Sequence, residues 1–281
     1  MNEFVIFVNT CDKFEDCWDP FFKLFSTHWP DYQGTIYLNT EYKEYTYPGL
    51  NIVSVKSCEG LNDAHLITWS ECLKRGLSAI DNELVLYLQE DYFLKSKVND
   101  NAIFNFAKLM RSENIDCVHL TDQNTQGPFT ASSPYEGLWT INQESEYRIS
   151  CQAAIWKREV LSSYIRTYES AWNFEDFGTT RSSVLNHKFY MVDRTQVKLN
   201  VSEIIPYVFT GIIKGKWLDE VVPLFKKHQI IIDFSKRGIT NNKEPKTLRT
   251  RIENRIKRLP NYFRNQIDMV ALRRSQNRYK G

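Results

Sequence analysis

The sequence predicts an α/β protein in which a mostly parallel central sheet is flanked by helices. Strand-like and helix-like segments alternate over the first 120 residues, which is the pattern of repeated β–α–β units. The segment 84–88 is continuously apolar, as expected for a strand buried on both faces at the centre of such a sheet. With 281 residues, of which 42% are hydrophobic, the chain can bury one large core.

Short runs rich in β-branched and aromatic residues predict the strands. Ligands bind beyond the carboxyl ends of parallel strands, so the polar residues that follow each run are the first candidates for a site. Thr10 and Asp12 follow the first run, and Glu90 and Asp91 follow the fourth. The predicted strands are 4–8, 35–38, 51–55, 84–88 and 116–120, with a later one at 148–156.

Helical spacing of apolar residues predicts the helices between the strands. Asp19 and Pro20 supply an N-cap and a first-turn proline for the first helix, which spans 21–28. Glycine, proline and serine are frequent from 121 to 146, and we expect a long binding loop or lid there. The other predicted helices are 62–80, 101–111, 158–168 and 172–185.

The charge of the chain is unevenly distributed. Residues 243–281 hold twelve lysines and arginines against three acids, a local charge of +9, so the remainder carries −7. The basic residues alternate with apolar ones, and Pro260 divides the segment into two predicted helical pieces. Such a tail suits an anionic membrane surface, although a merely solvated or oligomerising helix has the same pattern. We therefore divide the chain into a body, 1–242 (halves 1–120 and 121–242), and a tail, 243–281.

The cysteines and histidines of the sequence show no metal-binding spacing. None of the six cysteines forms a CxxC pair, and the five histidines are scattered, so we expect free thiols and no zinc site. The N-terminus does not resemble a signal peptide, and no run of 18 apolar residues occurs. These features predict a cytoplasmic protein that binds peripherally, through its tail, to the inner face of the plasma membrane. We expect it to bind no nucleic acid.

Three constellations could carry chemistry. Glu90 and Asp91 directly follow the central strand, where a divalent cation on a diphosphate would offset their charge; the alternative is a solvated turn. Arg148 could meet a phosphate and Gln152 a sugar hydroxyl, although both also suit the flanks of a core strand.

In the third constellation, Trp172, Glu175 and Asp176 stand at i, i+3 and i+4, so one helical face can present an indole and a carboxylate. A carboxylate beside an aromatic wall can act as a general base on an acceptor hydroxyl, and Trp172 could contact that acceptor. Acids near a helix N-terminus, which favour the macrodipole, are the alternative explanation.

These segments resemble motifs of GT-A glycosyltransferases. Gln89-Glu90-Asp91 is similar to the acidic DXD-type motif that follows the corresponding strand, although its first position is not an acid. The segment from Trp172 to Gly178 resembles the Trp-x-x-Glu pattern of capsule and lipopolysaccharide transferases. Glu175-Asp176, followed by Arg181, also resembles the Glu-Asp motif of the large inverting family. The first of these two patterns makes Glu175 the base, and the second makes it Asp176.

The resemblance implies a GT-A-like sheet and transfer of a sugar from a nucleotide sugar, with a UDP-sugar as the expected donor. Glu90 and Asp91 would hold Mn²⁺ or Mg²⁺, unless the chain is a metal-independent variant, and Arg181 would join them at the donor. Thr10 and Asp12 would lie at the nucleotide. The acceptor would be a glycan, lipid-diphosphate-linked, in capsule or lipopolysaccharide synthesis. The alternatives are a nucleotidyltransferase and a non-catalytic adaptor.

Overall fold

The computed structural model describes residues 3–61, 67–122, 126–241 and 248–278, with side chains described from 258 to 276 in the last range. One nine-stranded sheet forms its centre, in the order β3-β2-β1-β4-β8-β5-β9-β7-β6. Its strands are β1 (Val5–Asn9), β2 (Thr35–Asn39), β3 (Asn51–Ser54), β4 (Leu84–Gln89), β5 (Cys117–His119), β6 (Gly127–Thr130), β7 (Leu138–Glu146), β8 (Ala154–Lys157) and β9 (Phe189–Val192).

The described structure also has seven α-helices, two short 3-10 helices (Asp12–Cys17 and Phe234–Lys236) and a small second sheet. The second sheet has the strand order β10-β11-β12. Its strands are β10 (Ile212–Ile213), β11 (Lys216–Leu218) and β12 (Ile239–Thr240), and the helices are α1 (Trp18–His28), α2 (Trp69–Ser78), α3 (Asp100–Ser112), α4 (Arg158–Tyr164), α5 (Ala171–Ser182), α6 (Val221–Lys227) and α7 (Leu248–Arg278).

The central sheet separates two hydrophobic clusters because successive strand residues point to opposite faces. In β1, Ile6 and Val8 join the cluster that contains α1 and α3, whereas Val5 and Phe7 join the cluster that contains α2, α4 and α5. All five residues of β1 are buried. Helices therefore cover both faces, and the predicted α/β class is confirmed.

The direction of the strands is more mixed than the sequence indicates. β1 to β4 are mutually parallel, but β8 lies antiparallel between β4 and β5. β7 is also antiparallel to both of its neighbours, so seven of the nine strands share one direction. The insertion of β8 brings the residues before it to the carboxyl ends of β4 and β5.

The prediction of a long loop at 121–146 is wrong for most of this segment, because the segment contains β6 and β7. Leu138 and Ile141 of β7 are buried on opposite faces of the sheet, each in a different hydrophobic cluster, and most other positions of β7 are partly exposed. The other positions of β7 are largely Thr, Asn, Gln, Glu and Ser. Because most of these residue types are typical of loops, the sequence pattern does not indicate the strand. Residues 123–125 of this segment lie outside the described structure.

The predicted strand 148–156 is also shorter than expected, since β8 begins at Ala154. The side chains of α5 take up the backbone donors that a longer strand would use: Thr179 Oγ1 accepts from the Ile149 amide at 3.1 Å, and Glu175 Oε1 accepts from the Cys151 amide at 2.8 Å. This segment therefore forms an irregular connection anchored on α5.

The other predicted elements agree with the structure except at some ends. The predicted helix 62–80 begins only at Trp69, where Thr68 Oγ1 caps it by accepting from the Glu71 amide. Residues 62–66 lie outside the described structure. The helix expected at 158–168 ends at Tyr164. The predicted helices 21–28, 101–111 and 172–185 correspond to α1, α3 and α5.

The C-terminal segment is one helix, not the two pieces predicted on either side of Pro260. Contacts on both sides of the proline hold it against the body of the protein. Before it, Arg258 Nε donates to Asn173 Oδ1 at 3.0 Å; after it, Asn261 donates to the Tyr168 carbonyl and Asp268 accepts from Arg166. Tertiary packing thus compensates for the hydrogen bond that proline removes.

Candidate functional site

The carboxyl ends of β1, β2 and β4 form a polar edge of the central sheet. Asn9 is in register with both Asn39 and Gln89, and Asn39 Nδ2 donates to Asn9 Oδ1 at 2.8 Å. Both asparagines are buried, and the Asn39 amide nitrogen also donates to the Cys72 carbonyl at 3.3 Å. The residues that follow, Thr10 and Glu90, stand at the position where α/β sheets bind ligands.

Thr10 and Asp12 both have structural partners. Thr10 Oγ1 accepts from the Trp18 indole at 2.9 Å. Asp12 accepts from the backbone amides of Glu41 and Tyr42, and its own amide donates to Glu41 Oε2 at 3.0 Å. Asp12 therefore connects the loop after β1 to the loop after β2. It does not cap the turn that follows Asp12 itself.

Glu90 and Asp91 are nearly inaccessible, with 8% and 6% of their surfaces exposed, and the turn is not a solvated one. Burial raises the pKa of Glu90 well above its ordinary value, and the adjacent Asp91 raises it further. The positive charge of Arg237 lowers the pKa of Glu90. The Arg237 guanidinium also binds Asp16 and lies over the Phe14 ring. A buried pair of carboxylates is costly unless a cation or polar ligand compensates it.

The two carboxylates face different parts of the protein. Asp91 Oδ2 accepts from Thr210 Oγ1 at 2.6 Å and from the Ile212 amide at 3.1 Å. These bonds partly offset burial, which raises the pKa of Asp91. Glu90 interacts instead with the loop that follows β1. Burial raises the pKa of the Cys11 thiol in this loop to about 11, and the charge of Glu90 contributes to the rise.

Glu90 and Asp91 offer oxygen ligands of the kind that Mn²⁺ and Mg²⁺ prefer. These ions usually bind one or two carboxylates and take their other ligands from water and phosphate oxygens. Within the described residues, no third His, Cys, Asp or Glu side chain joins Glu90 and Asp91 to form a group of three close ligands. The remaining ligands would therefore come from the substrate and water.

A single residue, Cys151, connects the two acidic segments. The hydroxyl of Tyr92, which follows Asp91, donates to the Cys151 carbonyl at 2.8 Å, and the Cys151 amide donates to Glu175 Oε1 at 2.8 Å. Segments 90–92 and 175 are distant in sequence, but each is one hydrogen bond from the backbone of the same residue. The insertion of β8 makes this possible.

Glu175 and Asp176 differ sharply in their surroundings. Glu175 is partly buried, and burial raises its pKa, with a further contribution from Asp176. Asp176 is exposed and forms an ion pair with Arg258 of α7. A carboxyl group with a raised pKa is suited to proton transfer, whereas an exposed ion-paired carboxylate is not. The surroundings favour Glu175 over Asp176 as a general base.

Trp172 and Gln152 flank Glu175 on the surface. Trp172 lies in the first turn of α5, after the Ser170 N-cap, and is 75% exposed. Gln152 Oε1 accepts from the Tyr207 hydroxyl at 2.8 Å, an arrangement that leaves the Gln152 amide nitrogen as a donor. Tyr207 in turn stacks on Tyr92, with ring centroids 4.7 Å apart.

Arg148 and Arg181, which the sequence predicts at the donor, are buried and have protein partners in the structure. Arg148 is 2% exposed, donates to the carbonyls of Ser182 and His187, and lies over the Phe189 ring. Arg181 is fully buried and forms a two-pronged ion pair with Glu169, with both distances 2.7 Å. Both guanidinium groups are occupied by the protein itself.

Four residues at this edge have no counterpart among the predicted site residues: Tyr92, Tyr207, Thr210 and Arg237. Tyr92 directly follows Glu90-Asp91, so adjacency to the acidic pair could have identified it. The other three come from distant, irregular segments that carry no periodic or motif signal. Their positions depend on tertiary contacts alone.

No family model and no curated protein matches this chain. The solved structures found are similar only at low levels. S. aureus TarS 1–349 in complex with UDP is 10% identical over 68% of this chain and 57% of that one, with a TM-score of 0.42. UDP-glucose pyrophosphorylase complexed with UDP-glucose is 8% identical over 68% and 90%, with a TM-score of 0.40. An active-site mutant of LgtC is 13% identical over 60% and 61%, with a TM-score of 0.31.

This chain spans less than two thirds of the length of each of the three TarS chains that it matches. At these TM-scores the similarity carries no assignment of activity.

The raised pKa of Glu175 predicts a specific pH dependence of stability. The folded protein binds the Glu175 proton more tightly than the unfolded chain, whose pKa is near 4.5. The stabilisation is therefore complete below that value and is lost as the pH rises through the folded pKa. We expect the free energy of unfolding of wild type minus that of Glu175→Gln to fall as the pH rises above about 4.5.

Urea denaturation at several pH values measures this difference. The matched control is Glu159→Gln, which alters a largely exposed glutamate on α4. A difference between wild type and Glu175→Gln that does not change with pH would contradict the assigned pKa shift.

Proposed function

We propose that the protein is a glycosyltransferase that moves a sugar from a nucleotide sugar, with UDP as the expected nucleotide, to a hydroxyl of a glycan acceptor. The observation that carries the proposal is that Cys151 bonds both to Glu175 and to Tyr92, the residue that follows the buried pair Glu90-Asp91. Such a transfer needs a site for the diphosphate and a base for the acceptor, close together but separate.

Glu175 is the base in this proposal. Its carboxylate takes the proton from the acceptor hydroxyl while the hydroxyl oxygen attacks the anomeric carbon. The bond from that carbon to the diphosphate oxygen breaks, so the configuration inverts and the nucleoside diphosphate leaves. The hydrogen bond from the Cys151 amide fixes the carboxylate, and the raised pKa makes it a stronger base than an exposed glutamate.

Glu90 and Asp91 would hold Mn²⁺ or Mg²⁺ at the diphosphate, where the ion would neutralise charge on the leaving group. Thr210 and the Ile212 amide orient Asp91 for this role. Thr10 and Asp12 shape the loop beside the nucleotide. The exposed indole of Trp172 provides a flat apolar surface for the acceptor sugar, and the amide nitrogen of Gln152 can donate to a hydroxyl.

The acceptor in this proposal is lipid-linked, and the reaction belongs to capsule or lipopolysaccharide synthesis at the cytoplasmic face of the membrane. Supporting this, α7 exposes an apolar stripe on the side away from the body. Basic residues lie beside the stripe. It consists of Leu259, Tyr262, Phe263, Ile267 and Val270. No helix among the described residues has the length and apolarity of a membrane span, so attachment would be peripheral.

Donor binding is the first test of the proposal. A panel of nucleotide sugars should raise the melting temperature of the wild type, more strongly with Mn²⁺ than without it; binding at 100 times Kd stabilises a protein by about 2.7 kcal/mol. We expect Asp91→Asn and Glu90→Gln to lose the Mn²⁺-dependent part, because removing a metal-binding carboxylate weakens affinity by roughly 10- to 100-fold.

Asp81→Asn, at an exposed position, is the control. Unchanged Mn²⁺-dependent shifts in both site variants would remove these carboxylates from the donor site.

Turnover distinguishes Glu175 from Asp176 as the base. Glu175→Gln should lower kcat by roughly 10²- to 10⁴-fold, the range for loss of a general base, with little change in donor affinity. Asp176→Asn should change kcat by less than about threefold, because exposed ion pairs contribute little. Release of the nucleoside diphosphate and of the sugar product are the measurements.

If only Asp176→Asn abolishes turnover, the base is one residue further along α5. Release of pyrophosphate instead of a nucleoside diphosphate would identify a nucleotidyltransferase, and donor binding without any product would identify an adaptor.

Sedimentation with vesicles containing anionic lipid tests the role of α7. Phe263→Ser with Ile267→Ser should weaken partitioning by at least about tenfold, because burial of a large apolar side chain contributes about 1.5–3 kcal/mol. Arg273→Gln with Arg274→Gln should weaken it in low salt and less so in high salt. The control is Ile231→Ser, which changes a 96% exposed isoleucine away from α7. Unaltered partitioning of both α7 variants would make the helix purely structural.

A further inference from the structure

Three side chains that are far apart in the sequence meet beside the polar edge of the sheet. Glu41 follows β2, Cys58 follows β3, and Cys72 lies in the first half of α2. One ligand atom from each lies within 4.8 Å of the other two, and the two sulfur atoms are 3.7 Å apart. Among the residues that the structure describes, this is the group of three metal-binding side chains that comes together.

The distance between the sulfurs matches a tetrahedral metal site. Two Zn–S bonds of about 2.3 Å at the tetrahedral angle place the sulfurs about 3.8 Å apart. The sulfur atoms of Cys58 and Cys72 are 3.7 Å apart, so binding requires little movement of the chain. A disulfide, in contrast, would require the sulfurs to approach to about 2.05 Å and would also need an oxidant.

The backbone around the cluster is already ordered by hydrogen bonds. The Cys58 amide donates to the Glu41 carbonyl at 3.0 Å, and the Ser57 amide donates to the Thr40 carbonyl at 2.9 Å. The Asp12 amide holds the Glu41 carboxylate through Oε2. Cys58 is buried, and Cys72 and Glu41 are partly exposed, so an ion can enter from the side of the latter two.

The chemistry of the ligands selects the metal. Thiolates favour zinc over the hard ions Mg²⁺ and Mn²⁺, which prefer oxygen. Zn²⁺ binding would displace one proton from each thiol, and the two thiolates with the Glu41 carboxylate would leave a net charge of −1 at the site. The oxygen-only pair Glu90 and Asp91 has the opposite preference.

We propose that Glu41, Cys58 and Cys72 bind one Zn²⁺ ion, with water as the fourth ligand. The ion would connect the loops after β2 and β3 to α2. Since Glu41 and Asp12 bond to each other's backbone, the ion would also stabilise the loop after β1. The role is structural and is independent of glycosyl transfer.

Titration with Co²⁺, a spectroscopic substitute for Zn²⁺, tests the site. Full-length protein, reduced and stripped of metal, should take up one Co²⁺ with a thiolate-to-metal charge-transfer band, and Zn²⁺ should displace it and raise the melting temperature. Cys58→Ser and Cys72→Ser should each lose most of this band. Glu41→Gln should keep the band but bind Co²⁺ roughly 10-fold or more weakly.

The matched control is Cys11→Ala, which removes another partly exposed thiol at the same edge, outside the cluster; it should keep the band. The apo variants are compared by thermal unfolding, and Cys72→Ser, at the less buried position, decides the result if Cys58→Ser does not fold. Absence of a thiolate band in reduced wild type would overturn the proposal, as would a band that survives in Cys72→Ser or disappears in Cys11→Ala.

Discussion

The antiparallel position of β8 between β4 and β5 is the constraint on which the candidate site depends. Because β8 runs against its neighbours, the chain before it must lie at the carboxyl ends of β4 and β5, where Cys151 meets Tyr92. The same segment gives its backbone donors to α5, and Glu175 is thereby fixed near the acidic turn. A parallel strand at this position would place those residues at the opposite edge.

Buried charge is distributed in two ways, with different physical consequences. Glu169 and Arg181 neutralise each other inside the protein, and loss of either partner would leave an uncompensated charge that costs about 3–5 kcal/mol. Glu90 and Asp91 have like charges, and burial raises both pKa values. The first arrangement is complete in itself, whereas the second favours a ligand that brings positive charge or hydrogen-bond donors.

Local pattern predicted much of the fold and part of the site. The α/β class and most helices followed from periodicity, and the acidic residues followed from their position after an apolar strand. The protein partners of Arg148 and Arg181 could not be predicted, because a charged residue in a motif-like position looks the same in sequence whether its partner is a phosphate or a buried carbonyl or carboxylate. The pairing of Cys58 with Cys72 was equally hidden, since 14 residues separate them and only the packing of α2 joins them.

The attachment of α7 has a consequence for its independence as a module. Asn265 accepts from Arg181, and Asp268 accepts from Arg166, so the helix completes the polar interior next to Glu169. Removing it would open a buried ion pair to solvent and would also uncover the part of the body against which Met269 of the helix is buried. A shortened chain would therefore report the loss of core integrity together with any loss of anchoring, and a graft of the helix onto another protein would lose these contacts with the body.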